Sequence, residues 1–190
     1  TANYIDGVQE GLWTEWYEDG QKRRERNFKD GERDSTWTTW YENGNKKFLA
    51  SYSDGKLNGK YIRWYEGGII KELDGEYLNN KKHKKWIYWS KNGQKTEEIN
   101  YDNGVHHGSH IKWFGEKSDQ HKKFHINYKD GKKDGNWRHW YSSGIDSLKA
   151  TYLNGEKDGH WIWWRKNGLK DKEGFYKKEK KHGLWTVSYT

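Results

Sequence analysis

The sequence has 190 residues, a formal net charge of +8 and a mean hydropathy of −1.46. Only 31% of the residues are hydrophobic, but 17% are aromatic and 14 are Trp. Disordered chains are poor in aromatic residues, so this composition predicts a folded chain with a thin aromatic core. The absence of Cys excludes disulfides, Cys-based zinc sites and thiol nucleophiles, and no apolar run approaches the roughly 20 residues of a membrane helix.

The chain begins at Thr1 and contains no Met, so we expect a processed form or a piece of a longer protein. The compartment stays open: an exported chain whose targeting segment has been removed and a cytoplasmic chain both fit. Charge is uneven, with 10 Lys and Arg against 11 Asp and Glu in residues 1–60, and 26 against 17 in residues 61–190. We interpret this excess as Lys-rich solvated turns rather than as a nucleic-acid site.

A repeat of about 24 residues organises residues 1–190 as one array. It reads D/N-G-x-x-x-G-x-W-x-x-W-Y-x-x-G, followed about seven residues later by Tyr. Seven repeats begin near residues 7, 31, 55, 80, 104, 131 and 155, with partial repeats at 1–6 and 179–190. The fourth repeat departs at Asn80, Lys84 and Ser90, and the fifth departs at His110 and Lys117 and is three residues longer.

Aromatic residues recur at four positions of the repeat. The first, third and closing positions are predicted core: Trp13, Trp37, Tyr61, Trp86, Trp137 and Trp161; Tyr17, Tyr41 and Tyr65; Tyr52, Tyr77, Tyr101, Tyr128, Tyr152 and Tyr176. The second position is Trp in all seven repeats: Trp16, Trp40, Trp64, Trp89, Trp113, Trp140 and Trp164. A sheet one layer thick cannot bury both faces, and exposed apolar rows mark binding surfaces. This second-Trp row is therefore the candidate binding surface.

Each repeat predicts two short strands joined by tight turns. Asn-Gly and Asp-Gly dipeptides favour two-residue type I′ turns, and the lack of Pro favours an uninterrupted meander. We therefore predict an all-β fold, an elongated single-layer antiparallel meander of tandem hairpins.

Two-residue turns set a definite register in the second repeat. They pair Trp37 with Ala50, Tyr41 with Lys46, Ala50 with Gly59 and Phe48 with Tyr61. Because cross-strand partners share a face, Trp37, Tyr41, Phe48, Tyr52 and Tyr61 lie together, and Trp40 and Trp64 lie opposite with Leu49 and Ile62. The recurrent Gly at Gly11, Gly59, Gly135, Gly159 and Gly183 would let a ring lie close over the backbone.

No catalytic, metal or cofactor site is predicted. His106 and His110 have a spacing that metal sites use, but they lie on strands and turns without Cys or a clear carboxylate partner, so zinc is not favoured. Nucleophile-elbow, zincin and Walker patterns are absent. The acidic residues Asp30, Asp54, Asp130 and Asp158 fall in turns, where a turn role explains them.

The string G-x-W-x-x-W-Y-x-x-G, with its closing Tyr and N/D-G, resembles MORN-type repeats, specifically the variant of bacterial YwqK-like antitoxins. The resemblance covers nearly the whole chain. It implies a twisted sheet of successive hairpins and a role in protein or membrane-surface interaction. The antitoxin role comes with the family name alone, and a weaker resemblance to choline-binding repeats fails on spacing.

We therefore expect a non-enzymatic repeat module that binds a protein partner. Binding of a cell-surface glycan or lipid headgroup through exposed aromatic residues is a first alternative. A self-associating scaffold is a second, because the two partial repeats leave open sheet edges.

Overall fold

The structure is a computed structural model that describes residues 1–115 and 121–188. These residues contain strands and turns and no helix, which confirms the all-β prediction. They divide into two compact units, Thr1–Gly93 and Gln94–Thr190. That the whole chain forms one array stays a prediction, and Lys117 lies outside the described residues.

The first unit is an antiparallel meander in which each strand from β3 to β9 pairs with its neighbour in sequence. A short hairpin of β1 and β2 precedes it. Its strands are β1 (Tyr4–Ile5), β2 (Val8–Gln9), β3 (Gly11–Trp16), β4 (Lys22–Lys29), β5 (Glu32–Trp40), β6 (Lys46–Ser53), β7 (Lys56–Trp64), β8 (Lys71–Leu78) and β9 (Lys81–Trp89).

The second unit repeats this antiparallel arrangement, with β15 as a short strand beside β14. Its strands are β10 (Lys95–Asp102), β11 (Val105–Trp113), β12 (Lys122–Lys129), β13 (Lys132–Trp140), β14 (Asp146–Leu153), β15 (Glu156–Lys157), β16 (Gly159–Trp164), β17 (Lys170–Lys177) and β18 (Lys180–Val187).

The two kinds of turn differ, and only one kind is as predicted. Asp54 and Gly55 both have positive φ, at 49° and 72°, as a type I′ turn requires. Asn43 does not have positive φ, and the turn there has three residues, closed by a bond from the Tyr41 N–H to the Asn45 carbonyl. The predicted two-residue turn at Asn43 and Gly44 is therefore wrong. Gly44 instead takes the left-handed position after a type I turn.

The predicted register is correct between β5 and β6 except beside their turn, and it is wrong between β6 and β7. Trp37 pairs with Ala50 as expected, but Trp40 rather than Tyr41 pairs with Lys46. The expected pairs of Ala50 with Gly59 and of Phe48 with Tyr61 are also wrong. Ala50 pairs with Tyr61, and Phe48 pairs with Arg63.

A β-bulge near the start of β7 causes the shift between β6 and β7. Gly59 has a φ of 104°, and the register changes between Ala50 and Tyr52 on the facing strand. The recurrent Gly therefore supplies the left-handed backbone of a bulge rather than space for a ring. Ser35 and Lys84 occupy the same repeat position with φ of 54° and 58°.

Close approach of a ring to the backbone occurs at a different Gly. A Cβ placed on Gly75 would lie 2.3 Å from the Trp86 ring, and Trp86 is only 1% exposed. Ala150 packs with the buried Trp161 of the next repeat. Where Arg26 lies near Trp37, with the guanidinium 5.6 Å from the ring, that Trp is only half-buried. At Trp86, the absence of a side chain on Gly75 therefore lets the ring lie directly against the backbone.

In each unit the core lies on one side of the sheet, which we call the ladder face. Rings from successive strands contact one another there, with Tyr61, Tyr77 and Trp86 at centroid distances of 5.0–5.1 Å. Every buried apolar side chain of the described residues lies on this side by register: Ala50, Leu73, Trp86, Ile99, Ile126, Ala150, Tyr152 and Trp161. Most other rings predicted as core are half-buried.

Hydrogen bonds link corresponding turns of successive repeats at both ends of the strands. At one end, the N–H of the second type I′ turn residue donates to the carbonyl of the strand residue just after the preceding turn. Among the described residues these bonds run from Gly31 to Gln9, Gly55 to Arg33, Asn80 to Leu57, Gly131 to His106, Gly155 to Lys133 and Glu179 to Lys157. At the other end, the hydroxyl of the third-position Tyr donates to the backbone carbonyl of the second-Trp-row residue in the following repeat. These bonds run from Tyr17 to Trp40, Tyr41 to Trp64, Tyr65 to Trp89 and Tyr141 to Trp164.

The Gly75→Ala variant should lower the free energy of unfolding by about 1–3 kcal/mol, because the added methyl group overlaps the Trp86 ring. Gly67→Ala is the matched control, since no atom lies within 4 Å of its added Cβ and its φ is not left-handed. Urea denaturation followed by Trp fluorescence measures both. Equal stability of the two variants would contradict the packing described at Gly75.

Ser35→Gly should stabilise the protein by about 1 kcal/mol, because Gly adopts φ of 54° without the steric cost that Ser incurs. Ser53→Gly is the control, because the backbone of Ser53 is not left-handed. Both hydroxyls donate to an adjacent Asp side chain, Ser35 to Asp34 and Ser53 to Asp54. We expect that control to be destabilised by about 0.5–1 kcal/mol in thermal melting. A destabilised Ser35→Gly variant would count against the bulge at this position.

Candidate functional site

The face opposite the ladder, which we call the outer face, carries one central residue from each strand. In the first unit this row is Thr14, Glu25, Thr38, Leu49, Ile62, Asp74 and Ile87. In the second unit it is Glu98, Ile111, His125, Arg138, Lys149, Ile162, Glu173 and Thr186. The row mixes aliphatic, hydroxyl and charged side chains, so this face is chemically unlike the aromatic ladder.

The second-Trp row lies at the strand ends, and each of its seven members is the last residue of its strand. Trp16 is 49% exposed, and the six others are half-buried. The Lys22 ammonium lies 6.0 Å from the Trp16 ring and 5.9 Å from the Trp40 ring. Since Lys22 also bonds to Glu25 of the central row, these rings lie at the margin of the outer face.

Cations accompany this row in the second unit as well. The Arg138 guanidinium lies 4.9 Å from the Trp140 ring, and the Lys149 ammonium lies 5.2 Å from the Trp164 ring. Cation–π contacts of this kind are attractive. The other three members occupy the same position at the ends of β7, β9 and β11. The sequence predicted the Trp row but not these cations, which only the strand register brings beside the rings.

Carboxylates on the outer face are paired with a Lys three residues earlier in the chain. The pairs are Lys22 with Glu25, Lys71 with Asp74, Lys95 with Glu98, and Lys170 with Glu173. Exposed pairs of this kind contribute little stability, of the order of 0–1 kcal/mol each. They balance charge within each pair, and among the cations named beside the Trp rings Lys22 belongs to such a pair, whereas Arg138 and Lys149 do not.

Two His residues of the fifth repeat, His106 and His110, lie among the rings of the ladder face. The His106 and His110 rings are 5.7 Å apart, and His110 Nε2 lies 2.8 Å from a Glu97 oxygen. That hydrogen bond lowers the pKa of Glu97. Within residues 1–115 and 121–188, no cluster of three metal-ligating side chains occurs.

His139 and His125 lie on opposite faces of the second unit, and both are half-buried. His139 stacks on Phe124 at 5.5 Å and meets Trp137 at 5.1 Å. Burial, followed by the charges of Lys123 and Lys133, lowers the pKa of His139. Burial also lowers the pKa of His125, whose Nε2 lies 3.0 Å from the Ser109 hydroxyl.

These features define a tandem β-hairpin repeat protein with an aromatic core face and a polar outer face. The MORN repeat variant family matches three segments, residues 9–30, 33–54 and 82–103. The chain is thus similar to MORN repeats, which are generally linked to protein or membrane-lipid interaction. No curated protein matches the chain. No helix among the described residues has the length and apolar character needed to cross a membrane.

Acid should destabilise the second unit, and His139→Phe should reduce that effect. The folded pKa of His139 lies below its unfolded value of 6.5, so the unfolded state binds more protons as pH falls. Stability is then fully present above pH 6.5 and is lost as pH falls through the folded pKa. Melting temperatures at pH 7.5 and 5.0 test this, with His107→Phe as an exposed control. Identical pH dependence in wild type and His139→Phe would refute it.

Proposed function

We propose that the chain is a non-enzymatic repeat module that binds a protein partner along its outer face, with the second-Trp row as the main contact. The observation that carries this proposal is the division between the two faces. The buried apolar side chains of the described residues lie on the ladder face, so the rings at the margin of the outer face are not needed to build that core.

The Trp residues suit such a contact chemically. Trp and Arg are enriched where protein interfaces carry most of their binding energy, and Trp16 already exposes 49% of its surface. Three of the half-buried rings, Trp40, Trp140 and Trp164, lie close to Lys or Arg side chains. A partner carrying both apolar and anionic groups would complement them.

A non-catalytic role agrees with how the acidic side chains are used. Asp134 and Asp158 accept hydrogen bonds from the backbone N–H groups of Asn154 and Lys178 in the next turn. These carboxylates are engaged in turn structure. The similarity to MORN repeats points in the same direction, and an antitoxin role within a toxin–antitoxin system would be one form of protein binding.

Glycan or lipid-headgroup binding is the competing function, because the same exposed Trp rings could stack on sugars or insert at a membrane interface. The two functions differ in what perturbs Trp fluorescence. Soluble glycans or vesicles would change it under the alternative, and protein ligands would change it under our proposal.

Trp40→Ala and Trp64→Ala should each lower the amount of a specific partner captured from native lysate by at least about tenfold, since truncating an interface Trp costs about 2 kcal/mol or more. Ile69→Ala is the matched control, because Ile69 is a 90% exposed apolar side chain outside the Trp row. Quantitative mass spectrometry of the captured proteins provides the measurement. Equal losses in all three variants, or none, would contradict a contact through the Trp row.

A further inference from the structure

A cavity of about 350 Å³ opens on the outer face of the second unit. Its lining includes Asn136, Arg138, Lys149, Thr151, His160 and Ile162. Ile162 is the central-row residue of its strand, and the polar side chains come from the central row or from positions two residues away in the same strands. The cavity is therefore built by residues of β13, β14 and β16 that face the same side of the sheet.

Two cations in the lining of this cavity are direct cross-strand neighbours. Arg138 pairs with Lys149 in the register of β13 and β14. Like charges at directly opposed positions destabilise a sheet. The equivalent pair in the first unit, Thr38 and Leu49, carries no charge. The second unit thus contains a repulsive like-charge pair at positions where the first unit has uncharged residues, so the fold of the repeat does not require charge there.

Internal carboxylates compensate these cations only in part. Asp146 accepts two bonds from Arg138, at 2.7 and 2.8 Å, and lies 3.2 Å from the Lys149 ammonium. Glu173 is likewise shared, with Lys170 at 2.9 Å and His160 at 3.2 Å. Two carboxylates therefore serve three permanent cations and one imidazole, which leaves one excess positive charge when His160 is neutral.

Hydrogen-bond donors are in excess as well. A guanidinium has five N–H donors and an ammonium has three, whereas Asp146 engages only two of the Arg138 donors. Burial alone would raise the pKa of Asp146, but the bonds from Arg138 and Lys149 outweigh burial and lower it. Asp146 consequently stays ionised at neutral pH, and the remaining N–H groups are free to bind a further anion.

Aromatic rings contact the charged and polar residues that line the cavity. Trp140 and Trp164 lie beside Arg138 and Lys149. The Phe175 ring stacks on His160 at 4.6 Å and is 47% exposed. A lining that combines these cations with the apolar Ile162 suits a small anionic group carried on an aliphatic stem.

We propose that this cavity binds the carboxylate of a Glu or Asp side chain in an acidic segment of the protein partner. The proposal rests on the proposed function, because it uses the same outer face. A monoanionic carboxylate matches the single excess charge, and its two oxygens can accept from Arg138 and Lys149 together. Charge-assisted bonds of this type are the stronger class of protein hydrogen bond.

Titration with an N-acetylated, C-amidated hexaglutamate, followed by Trp fluorescence, tests the site. Wild type should bind the peptide, and Lys149→Gln should weaken binding about tenfold, equivalent to losing about 1.4 kcal/mol. Lys172→Gln removes the same charge beside Trp163 on the ladder face and should bind like wild type. Thermal melting of each variant verifies that it is folded.

A second pair of variants changes binding in the opposite direction. Asp146→Asn removes the internal competitor and should strengthen hexaglutamate binding about threefold or more, whereas Glu156→Gln, an exposed change of equal charge, should not. Equal effects within either pair would show general attraction to a basic chain and overturn the site. Lys149-dependent binding of inorganic phosphate, without Lys149-dependent peptide binding, would also overturn it. Because Trp40 and Trp64 lie in the first unit, loss of partner capture with intact hexaglutamate binding separates the two proposals.

Discussion

The hydrogen bond between corresponding turns of successive repeats is the constraint on which the rest of the structure depends. Each such bond joins residues 22–25 positions apart, as from Gly55 to Arg33, and the Tyr hydroxyl bonds do the same at the opposite strand ends, as from Tyr41 to Trp64. An isolated hairpin is at best marginally stable, so a repeat gains its stability through its neighbours. The bonds hold adjacent hairpins at one offset, and this offset brings each ring of the ladder face against the ring of the next strand. A repeat can therefore lose its Tyr, as at Arg165, when another donor makes the link: Arg165 bonds to the Ser188 carbonyl.

Much of this architecture follows from the sequence because its signals are local. The Asp54-Gly55 turn needs two residues with positive φ, and the same pair of left-handed residues recurs at Asp30-Gly31 and Asp130-Gly131. The closing and first aromatic positions recur with the same period, so their pairing on one face is also a local consequence. The register failed at Gly59 because the bulge shifts the pairing of β6 with β7 by two residues. The recurrent Gly was the available signal for that bulge, but Ser35 and Lys84 obscure it by adopting left-handed φ without being Gly.

The chemistry of the outer face could not be predicted in the same way. Arg138 and Lys149 are eleven residues apart, and only the register of β13 and β14 places them opposite each other. The same two-residue error as at Gly59 would set His160 rather than Ile162 opposite Lys149, and this error is enough to hide the cavity. The extent to which each ring is buried could not be predicted either, because the burial of Trp86 depends on Gly75 in the preceding strand. Such pairs are non-local in sequence, and no periodic pattern identifies them.

The two faces consequently carry different constraints. On the ladder face, a larger side chain at a position such as Gly75 would overlap the ring packed against it, here Trp86. The central row of the outer face varies freely between repeats, from Thr38 and Leu49 in the first unit to Arg138 and Lys149 in the second. The like-charge pair at Arg138 and Lys149 is tolerated because core packing and turn bonds already stabilise the repeat. A scaffold of this kind can change its ligand by substitution on one face without altering the fold, and the cation-rich cavity of the second unit is where we expect that freedom to have been used.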